Sequence, residues 1–211
     1  MLGSLRLLTL ALPVLLSACA SLPGALSVGS PPAGDTLIAP TRRIVMPQPA
    51  VFGRSVEARQ LVTVKHNGNT IAFESRISIT SKRMSLVCMD TLGRRAMSVE
   101  WDGTKMDVIV APWVPDSVRP GSMMADLAML YWPEKAVRAA VAPIAGDVVI
   151  SERKRVLRVD GKEVLRADYG WPDGAAWNGK LHYANTAWGY EVDVQSVEIK
   201  PDIKHAAGYK G

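Results

Sequence analysis

The stretch Leu61–Thr80 has the sequence LVTVKHNGNTIAFESRISIT. Apolar residues in its second half alternate with polar or small ones, at positions Ile71, Phe73, Ile77 and Ile79. This period of two is typical of a strand with one buried face. Asn67-Gly68 separates two such runs, and the central residues of a type I′ turn both need a positive φ angle, which Asn and Gly adopt readily. The stretch therefore predicts an antiparallel β-hairpin.

The same alternation continues along most of the chain. Further strands are predicted at Met84–Met89, Ala96–Trp101, Lys105–Val110, Val148–Ile150, Val156–Val159, Glu163–Ala167, Leu181–Tyr183 and Tyr190–Ile199. Turn sequences rich in Asp and Gly separate several of them, among them Asp90–Gly93, Asp102-Gly103 and Asp160-Gly161. Short strands joined by such turns indicate an antiparallel meander.

The segment 112–143 interrupts the strands with helical spacing. A stripe of apolar residues recurs at i, i+3, i+4 and i+7, at Met124, Leu127, Ala128 and Tyr131. It predicts a helix that Ser122 caps, and a second short helix begins at Pro133, because proline is favoured at the first helical position. Strands on both sides of two helices predict an α+β domain, in which one long antiparallel sheet curls and the helices cover its concave side.

The N-terminal residues have the layout of a secretory signal. An apolar stretch that runs to Leu16 ends in Ser17 and Ala18, and Cys19 follows directly. The stretch is shorter than the roughly 20 apolar residues that span a bilayer. We expect residues 1–18 to be removed as a lipoprotein signal peptide and the thiol of Cys19 to be acylated. The alternative is an ordinary signal peptide with an incidental cysteine.

Acylation of Cys19 predicts a membrane anchor, because two or three acyl chains hold a protein more firmly than one. Ala20 follows Cys19. In this the N-terminus resembles bacterial lipoproteins that are sent to the outer membrane, since the retention signal, an Asp at that place, is missing. We therefore expect a lipid-anchored outer-membrane protein whose domain lies in the periplasm.

Residues 19–50 are rich in Pro, Gly, Ser and Ala and predict a tether behind the lipidated cysteine. A flexible tether of roughly 30 residues spans about 30 Å. Two apolar pairs within it, Leu37-Ile38 and Ile44-Val45, are candidates for packing on the domain. The domain itself is expected over residues 51–200, followed by a polar tail at 201–211.

Composition and motifs favour a protein that is not an enzyme. The formal net charge is +5, and the basic residues are dispersed, so no nucleic-acid footprint is recognised. Common nucleophile and dinucleotide motifs are absent from the sequence, and His66, His182 and His205 lack the spacing of a metal site. We expect no cofactor and no metal. With Cys19 acylated, Cys88 remains alone, which excludes an internal disulfide.

The middle strands are apolar on both faces. Met84, Leu86 and Cys88 share one face of a predicted strand, while Val87 and Met89 share the other. One face is expected to be core and the other to line a cavity. The chain also has six tryptophans against two phenylalanines. Tryptophan suits places where an apolar ring keeps one polar edge, although each single tryptophan is more often core or turn packing than the wall of a ligand site.

Two segments carry a resemblance to known lipoproteins. They are MDTLGRRAMSVEWDG at 89–103 and MMADL at 123–127, and Trp132-Pro133 follows them. From about Leu61 to Ile199 the chain resembles a small family of uncharacterised bacterial lipoproteins, often encoded beside polyketide-type or aryl-polyene biosynthesis genes. That family in turn resembles the LolB family. LolB proteins are outer-membrane receptors that take lipidated proteins from a periplasmic carrier.

The resemblance implies an open, incomplete antiparallel β-barrel of the LolA/LolB type, lidded by helices over a hydrophobic cavity. In LolB a leucine in an Asn-Pro-Leu-Gly turn protrudes and helps to place cargo in the membrane. Leu92 occupies the matching place in Asp90–Gly93, without the proline; alternatively, it packs under its own hairpin. The residues expected to contact cargo or membrane are Leu92, Leu86, Cys88, Met97, Val99, Trp101, Met124, Leu127, Tyr131 and Trp132.

The expected function is binding of a lipid or acylated amphiphile and help in its delivery or insertion at the outer membrane. Burial alone can supply the affinity, because each methylene removed from water contributes about 0.8 kcal/mol. A periplasmic carrier or envelope machinery is the expected protein partner. The alternative is a scaffold of an envelope complex, whose cavity is filled by its own side chains.

Overall fold

The structure, a computed structural model, describes residues 35–171 and 176–199 of the chain. The predicted signal peptide, Cys19, the first part of the predicted tether and the polar tail lie outside the described residues. Within the described ranges, no helix is long and apolar enough to cross a membrane.

Twelve strands and two α-helices make up the described domain. The strands are β1 (Leu37–Ala39), β2 (Arg42–Arg43), β3 (Val56–His66), β4 (Asn69–Ile79), β5 (Met84–Met89), β6 (Arg95–Trp101), β7 (Met106–Val110), β8 (Gly146–Ser151), β9 (Lys154–Val159), β10 (Lys162–Gly170), β11 (Gly179–Asn185) and β12 (Tyr190–Glu198). The helices are α1 (Pro120–Tyr131) and α2 (Glu134–Val141), and short 3-10 helices span Pro49–Phe52 and Ala142–Ile144.

Ten of the strands form one antiparallel sheet in the order β7-β6-β5-β4-β3-β12-β11-β10-β9-β8. Each strand pairs with its neighbour along the chain except at the centre, where β12 returns to pair with β3. The outermost strands, β7 and β8, do not pair with each other, so the sheet stays open. The predicted α+β class, with a curled open sheet and two short helices, is confirmed.

The hairpin that predicted the sheet forms in the expected register. His66 pairs with Asn69, and the two residues between them have positive φ angles, 49° at Asn67 and 75° at Gly68. These angles match the type I′ turn that the sequence predicts. Eleven residues pair on each side of the turn, which makes β3 and β4 the longest strands of the sheet.

Helix α1 begins earlier than the sequence suggested. Pro120 is its first residue and Arg119 occupies the cap position, so the expectation that Ser122 caps the helix is wrong. Ser122 lies inside the first turn, and its hydroxyl is buried without a hydrogen-bond partner. Proline at the first helical position loses no intrahelical bond, which explains the earlier start. Helix α2 begins one residue after Pro133.

Helix α1 is buried around most of its circumference and fills the concave side of the sheet. Ten of its twelve residues are buried, and the exceptions are Met123 and Leu127. A helix that is apolar on nearly all sides is a core helix, in contrast to a surface helix with a single stripe. The predicted stripe of four apolar residues therefore describes only part of its buried surface.

Part of the stretch expected as tether belongs to the folded domain. Strands β1 and β2 pair with each other, and Ile38, Ile44 and Met46 are buried in the core. The backbone amide of Val45 also donates to the carbonyl of Ala140 in α2, although the Val45 side chain is exposed. The fold thus begins before residue 51, because burying these apolar side chains in the core orders part of the Pro-rich stretch.

The curled sheet has two ends that differ in character. The turn end carries the β3–β4, β5–β6 and β11–β12 turns together with the N-terminus of α1. The opposite end, the pocket end, carries the β8–β9 turn, the segment between β10 and β11, and the C-terminus of α1. Helix α1 therefore runs through the concave side from one end to the other.

Candidate functional site

A pocket opens at the pocket end of the sheet, beside the C-terminus of α1. Its volume is about 370 Å³, within the roughly 300–1,000 Å³ typical of ligand sites. The lining residues are mostly aromatic or polar: Phe52, Arg54, Leu130, Tyr131, Pro133, Ser151, Glu152, Arg155, Tyr169, Trp171, Ala176 and Trp177. We call this site the aromatic pocket.

Stacked rings form the wall of the aromatic pocket. Tyr131 and Trp177 stack with ring centroids 3.8 Å apart, and Trp171 stacks on Tyr131 at 6.0 Å. Tyr169 lies 4.6 Å from Trp171, and Phe52 meets Trp177 edge to face at 6.2 Å. Such pairs contribute about 0.5–1.5 kcal/mol each beyond the area that they bury. The wall is thus apolar, preformed and made of flat faces.

Trp177 holds an uncommon backbone conformation at the centre of this wall. Its φ angle is 78°, in the left-handed region that bulky residues rarely adopt. Its side chain is nevertheless buried and packed between Tyr131 and Phe52. The packing of the ring therefore offsets the backbone strain, an arrangement often found at binding sites.

One cation of the pocket, Arg155, is half-buried and forms no ion pair with a carboxylate of the described residues. Nη1 of Arg155 donates to the carbonyl oxygens of Met129 and Trp132, at 2.9 and 2.8 Å, near the C-terminus of α1. The negative end of the helix dipole favours a cation at this place. Burial lowers the pKa of Arg155 from its usual value, which still leaves the guanidinium charged at neutral pH.

A buried polar network lies directly behind the aromatic wall. The amide of Gln60 donates to the hydroxyl oxygen of Tyr131 at 3.0 Å and to the hydroxyl of Ser196 at 2.6 Å. The hydroxyl of Ser75 donates back to the amide oxygen of Gln60 at 3.3 Å. Burial raises the pKa of Tyr131 to about 12, so its ring stays neutral. The network fixes the ring of Tyr131 from the sheet side.

A second buried polar group, which we call the Asp126 cluster, ties α1 to the turn end. The amide of Asn185 donates to the carboxylate of Asp126 at 3.3 Å, and the hydroxyl of Tyr190 donates to its other oxygen. Burial raises the pKa of Asp126 to about 7, against the lowering effect of these two hydrogen bonds. Asn185 also donates to the carbonyl of Ile38, which joins β1 to the cluster.

Most residues predicted to contact cargo lie in the packed core. Leu86 and Cys88 on β5, and Met97 and Val99 on β6, are at most 4% exposed. Met124 and Trp132 are fully buried as well, in the same cluster. The structure brings these side chains together on the concave face, where the core fills the space around α1. The other face of β5 carries Val87 and Met89, both half-buried.

The remaining predicted residues lie in three different settings. Tyr131 lines the aromatic pocket, whereas Leu127 is half-buried in the core. Trp101 is half-buried, and its indole donates to the carbonyl of Pro47 at 2.9 Å. Leu92 is 78% exposed at the turn end, the most exposed large apolar side chain among the described residues. The alternative in which Leu92 packs under its own hairpin is therefore not what the structure shows.

Sequence reasoning missed most of the aromatic pocket. Tyr131 was the only predicted site residue in its lining, and Phe52, Arg155 and Tyr169 were not singled out. The excess of tryptophan was the available signal, because Trp171 and Trp177 are two of the six. Their meeting with Tyr131 depends on the path of the β10–β11 segment, which no local pattern specifies.

Side chains of the types that bind metals or act as nucleophiles include Cys88 and His182 among the described residues. No group of three His, Cys, Asp or Glu side chains among them is arranged to hold a metal ion. Burial raises the pKa of the Cys88 thiol to about 12, which suppresses the thiolate that a nucleophile needs. His182 and Asp193 pair at 2.8 Å on the exposed face of the sheet, away from the aromatic pocket. The lining of the aromatic pocket combines aromatic rings with the polar side chains of Arg54, Ser151, Glu152 and Arg155.

Comparison with solved structures finds distant similarity of fold. A LolA superfamily protein from Nitrosomonas europaea is similar over 74% of this chain and 91% of its own, at 8% identity and a TM-score of 0.42. A DUF1329 family protein from Desulfovibrio piger is similar over 75% of this chain and 95% of its own, at 7% identity and a TM-score of 0.34. No curated protein matches the sequence significantly.

A family match covers most of the domain. Residues 57–198 match the family described as "Protein of unknown function (DUF3261)". This range runs from the start of β3 to the end of β12 and contains both segments on which the sequence resemblance rests. The chain therefore belongs to the DUF3261 family.

Proposed function

We propose that the protein is a membrane-tethered binder of a lipid or acylated amphiphile, which it helps to deliver or insert at the outer membrane. The amphiphile places its apolar part in the aromatic pocket beside α1. The lipidated Cys19 holds the protein to the membrane, and a periplasmic carrier or envelope machinery supplies or receives the cargo. Binding and release need no covalent chemistry, so the protein acts without being an enzyme.

The observation that carries the proposal is the aromatic pocket itself. Stacked tyrosine and tryptophan rings form an apolar wall with a few polar groups at its border, which is the usual composition of a small-molecule site. At about 0.8 kcal/mol per buried methylene, a short stretch of acyl chain gains substantial affinity there. The exposed Leu92 adds an apolar contact for the bilayer surface at the other end of the domain.

A scaffold role is the second candidate, and a specific observation favours it. The concave face, where a large cargo would lie, is filled by α1. A molecule whose concave face is filled by its own helix can serve as a rigid docking body. In that case the aromatic pocket is only a gap between packed elements, and amphiphiles do not bind there.

Fluorescence of an apolar probe separates the two candidates. The domain without residues 1–19 should enhance the fluorescence of the probe, and a long-chain fatty acid should displace it. Trp177→Ala removes the centre of the wall and should abolish the enhancement, whereas Trp113→Ala, an exposed tryptophan outside the pocket, should leave it intact. A folded wild-type domain that binds neither probe nor fatty acid would favour the scaffold.

The anchor is tested separately in the full-length chain. Cys19→Ala should block acylation and leave an uncleaved or unanchored form, because no other thiol precedes the domain. Membrane fractionation with mass spectrometry of the N-terminal peptide reads this out. A Cys19→Ala protein that is still processed and recovered with the outer membrane would refute the lipobox.

A further inference from the structure

Arg155 has more hydrogen-bond donors than the protein uses. A guanidinium carries five N–H donors, and the two carbonyls at the end of α1 accept from Nη1 alone. The donors on Nε and Nη2 have no partner among the described residues. These two nitrogens form one edge of the guanidinium, the edge that binds a carboxylate or phosphate with two parallel hydrogen bonds.

The other charged groups described in the pocket lining, Glu152 and Arg54, form no ion pair with Arg155. Glu152 lies on the β8–β9 turn and is exposed. Arg54, the second arginine of the lining, is already paired with the carboxylate of Glu198. Among the described residues, the Nε and Nη2 donors of this half-buried cation have no protein partner, so they are available to a ligand.

We propose that the aromatic pocket selects amphiphiles with an anionic head group, a carboxylate or a phosphate, which the free Nε and Nη2 edge of Arg155 binds. The apolar chain then lies along the aromatic wall and contacts Trp171, the half-exposed ring of the stack that it forms with Tyr131 and Trp177. This inference rests on the proposed function and adds the chemical class of the cargo. Because Nη1 is anchored to α1, the guanidinium is held in place before the ligand arrives, and little side-chain entropy is lost on binding.

A panel of ligands with one chain and different head groups tests the selection. The probe-loaded domain is titrated with dodecanoate, dodecyl phosphate, dodecanol and dodecyltrimethylammonium, each below its micelle concentration. Charge-assisted hydrogen bonds are stronger than neutral ones. The concentration of an anionic ligand that displaces half of the probe should therefore be lower than that of dodecanol by a factor of about ten or more. The carboxylate and phosphate arms tell a fatty-acid head group from a phospholipid one.

Variants assign the preference to Arg155. Arg155→Gln should reduce the ratio of anionic to neutral affinity to about one. Arg155→Lys should retain part of the preference for anionic ligands, because an ammonium keeps the positive charge but cannot form two parallel hydrogen bonds from a planar group. Arg54→Gln is the matched control, since it removes a pocket arginine that already has a partner. The ratio is insensitive to a general weakening of the fold, which lowers both affinities together.

Each outcome has a definite meaning. Equal displacement by all four ligands overturns the anionic selection and leaves the proposed function standing. Displacement by none of them contradicts the proposed function itself. A preference that disappears in Arg54→Gln and persists in Arg155→Gln overturns the assignment to Arg155. If Arg155→Gln fails to fold, the wild-type panel still tests the anionic selection, and a reduced preference in Arg155→Lys still tests the assignment to Arg155.

Discussion

Helix α1 meets different kinds of surface at the two ends of the sheet. Toward the turn end, Asp126 is held by directional hydrogen bonds from Asn185 and Tyr190. At the pocket end, Tyr131 is held by ring stacking on Trp171 and Trp177 in addition to the hydrogen bond from Gln60. Hydrogen bonds of buried groups tolerate little displacement, whereas aromatic faces accept sliding and exchange for other flat or apolar surfaces. Both ends of α1 are thus held by hydrogen bonds, and only the pocket end adds aromatic faces that can contact another apolar surface.

The two ends of α1 therefore have different roles: the turn end positions the helix, and the pocket end leaves space beside it. The Asp126 cluster joins α1, β1 and the β11–β12 turn, so it fixes where the helix enters the domain. The aromatic pocket leaves room beside the C-terminus of the same helix. A ligand is therefore expected to enter at the pocket end without moving the N-terminal part of α1.

The largest effect is expected at the pocket end, from Trp177→Ala. The ring is 1% exposed, so its removal should lower the free energy of unfolding by about 3–5 kcal/mol, as for other buried aromatic truncations. Alanine also keeps the unfavourable φ angle of 78° without the packing that offsets it. Denaturant unfolding of the domain measures the loss.

Trp113→Ala is the control for this substitution. Trp113 is 47% exposed and contacts the guanidinium of Arg94, so the cost should stay near or below about 1 kcal/mol. A similar loss of stability in both variants would remove the distinction between a packed aromatic wall and a surface tryptophan.

The next effect concerns the turn end and depends on pH. Burial raises the pKa of Asp126 to about 7, above its ordinary value of 3.8, so the folded state binds a proton more tightly than the unfolded chain. Between these two values this group makes stability fall as pH rises, by up to about 1.4 kcal/mol per pH unit. Asp126→Asn has no proton to release and should lack this contribution.

Unfolding at several pH values between the two pKa values reads this out. The free energy of unfolding of the wild type, relative to Asp126→Asn, should decrease from acid toward neutral pH and level off above about 7. Parallel pH profiles of the two proteins would show that Asp126 titrates normally. The Asp126 cluster would then not be the tightly buried group at the turn end.

A smaller effect is expected from Tyr169→Phe at the pocket end. The hydroxyl of Tyr169 donates to the carbonyl of Leu130, near the end of α1, at 2.7 Å. Its removal should cost about 0.5–1.5 kcal/mol in denaturant unfolding, the net value of one hydrogen bond. Tyr183→Phe is the control, because no described residue accepts or donates a hydrogen bond to its hydroxyl. Equal losses would mean that this hydrogen bond does not stabilise α1.

The smallest effect on stability is expected at Leu92. This side chain is 78% exposed, so Leu92→Ala and Leu92→Glu should each change the free energy of unfolding by no more than about 0.5 kcal/mol. If Leu92 contacts the bilayer, the charge in Leu92→Glu should still weaken co-sedimentation of the domain with lipid vesicles. A strongly lowered melting temperature in both variants would make Leu92 a core residue, and unchanged co-sedimentation would exclude the membrane contact.

The sheet was predictable because its information is local. Alternation of apolar residues located nearly every strand of the large sheet, and Met84–Met89 was predicted with its observed bounds. Turn residues such as Asn67-Gly68 and Asp160-Gly161 have the positive φ angles that their residue types favour. The same period predicted that Met84, Leu86 and Cys88 share one face of their strand, and all three are buried in the core.

The aromatic pocket was not predictable in the same way. Its lining comes from segments as distant in sequence as Phe52 and Trp177, and their contact depends on the curl of the whole sheet. Apolar spacing also does not distinguish a cavity wall from a core that a helix fills. Most of the predicted cargo residues lie in the core around α1, and the aromatic pocket lies beside the C-terminus of that helix.

The central claim is that an amphiphile binds in the aromatic pocket, and photolabelling tests it most directly. A fatty acid with a diazirine on its chain is irradiated with the domain, and the labelled peptides are identified by mass spectrometry. The account predicts label on the peptides that contain Tyr131, Tyr169 and Trp177, which excess unlabelled fatty acid prevents. Label confined to the turn end around Leu92, or label that excess fatty acid does not reduce, would contradict it.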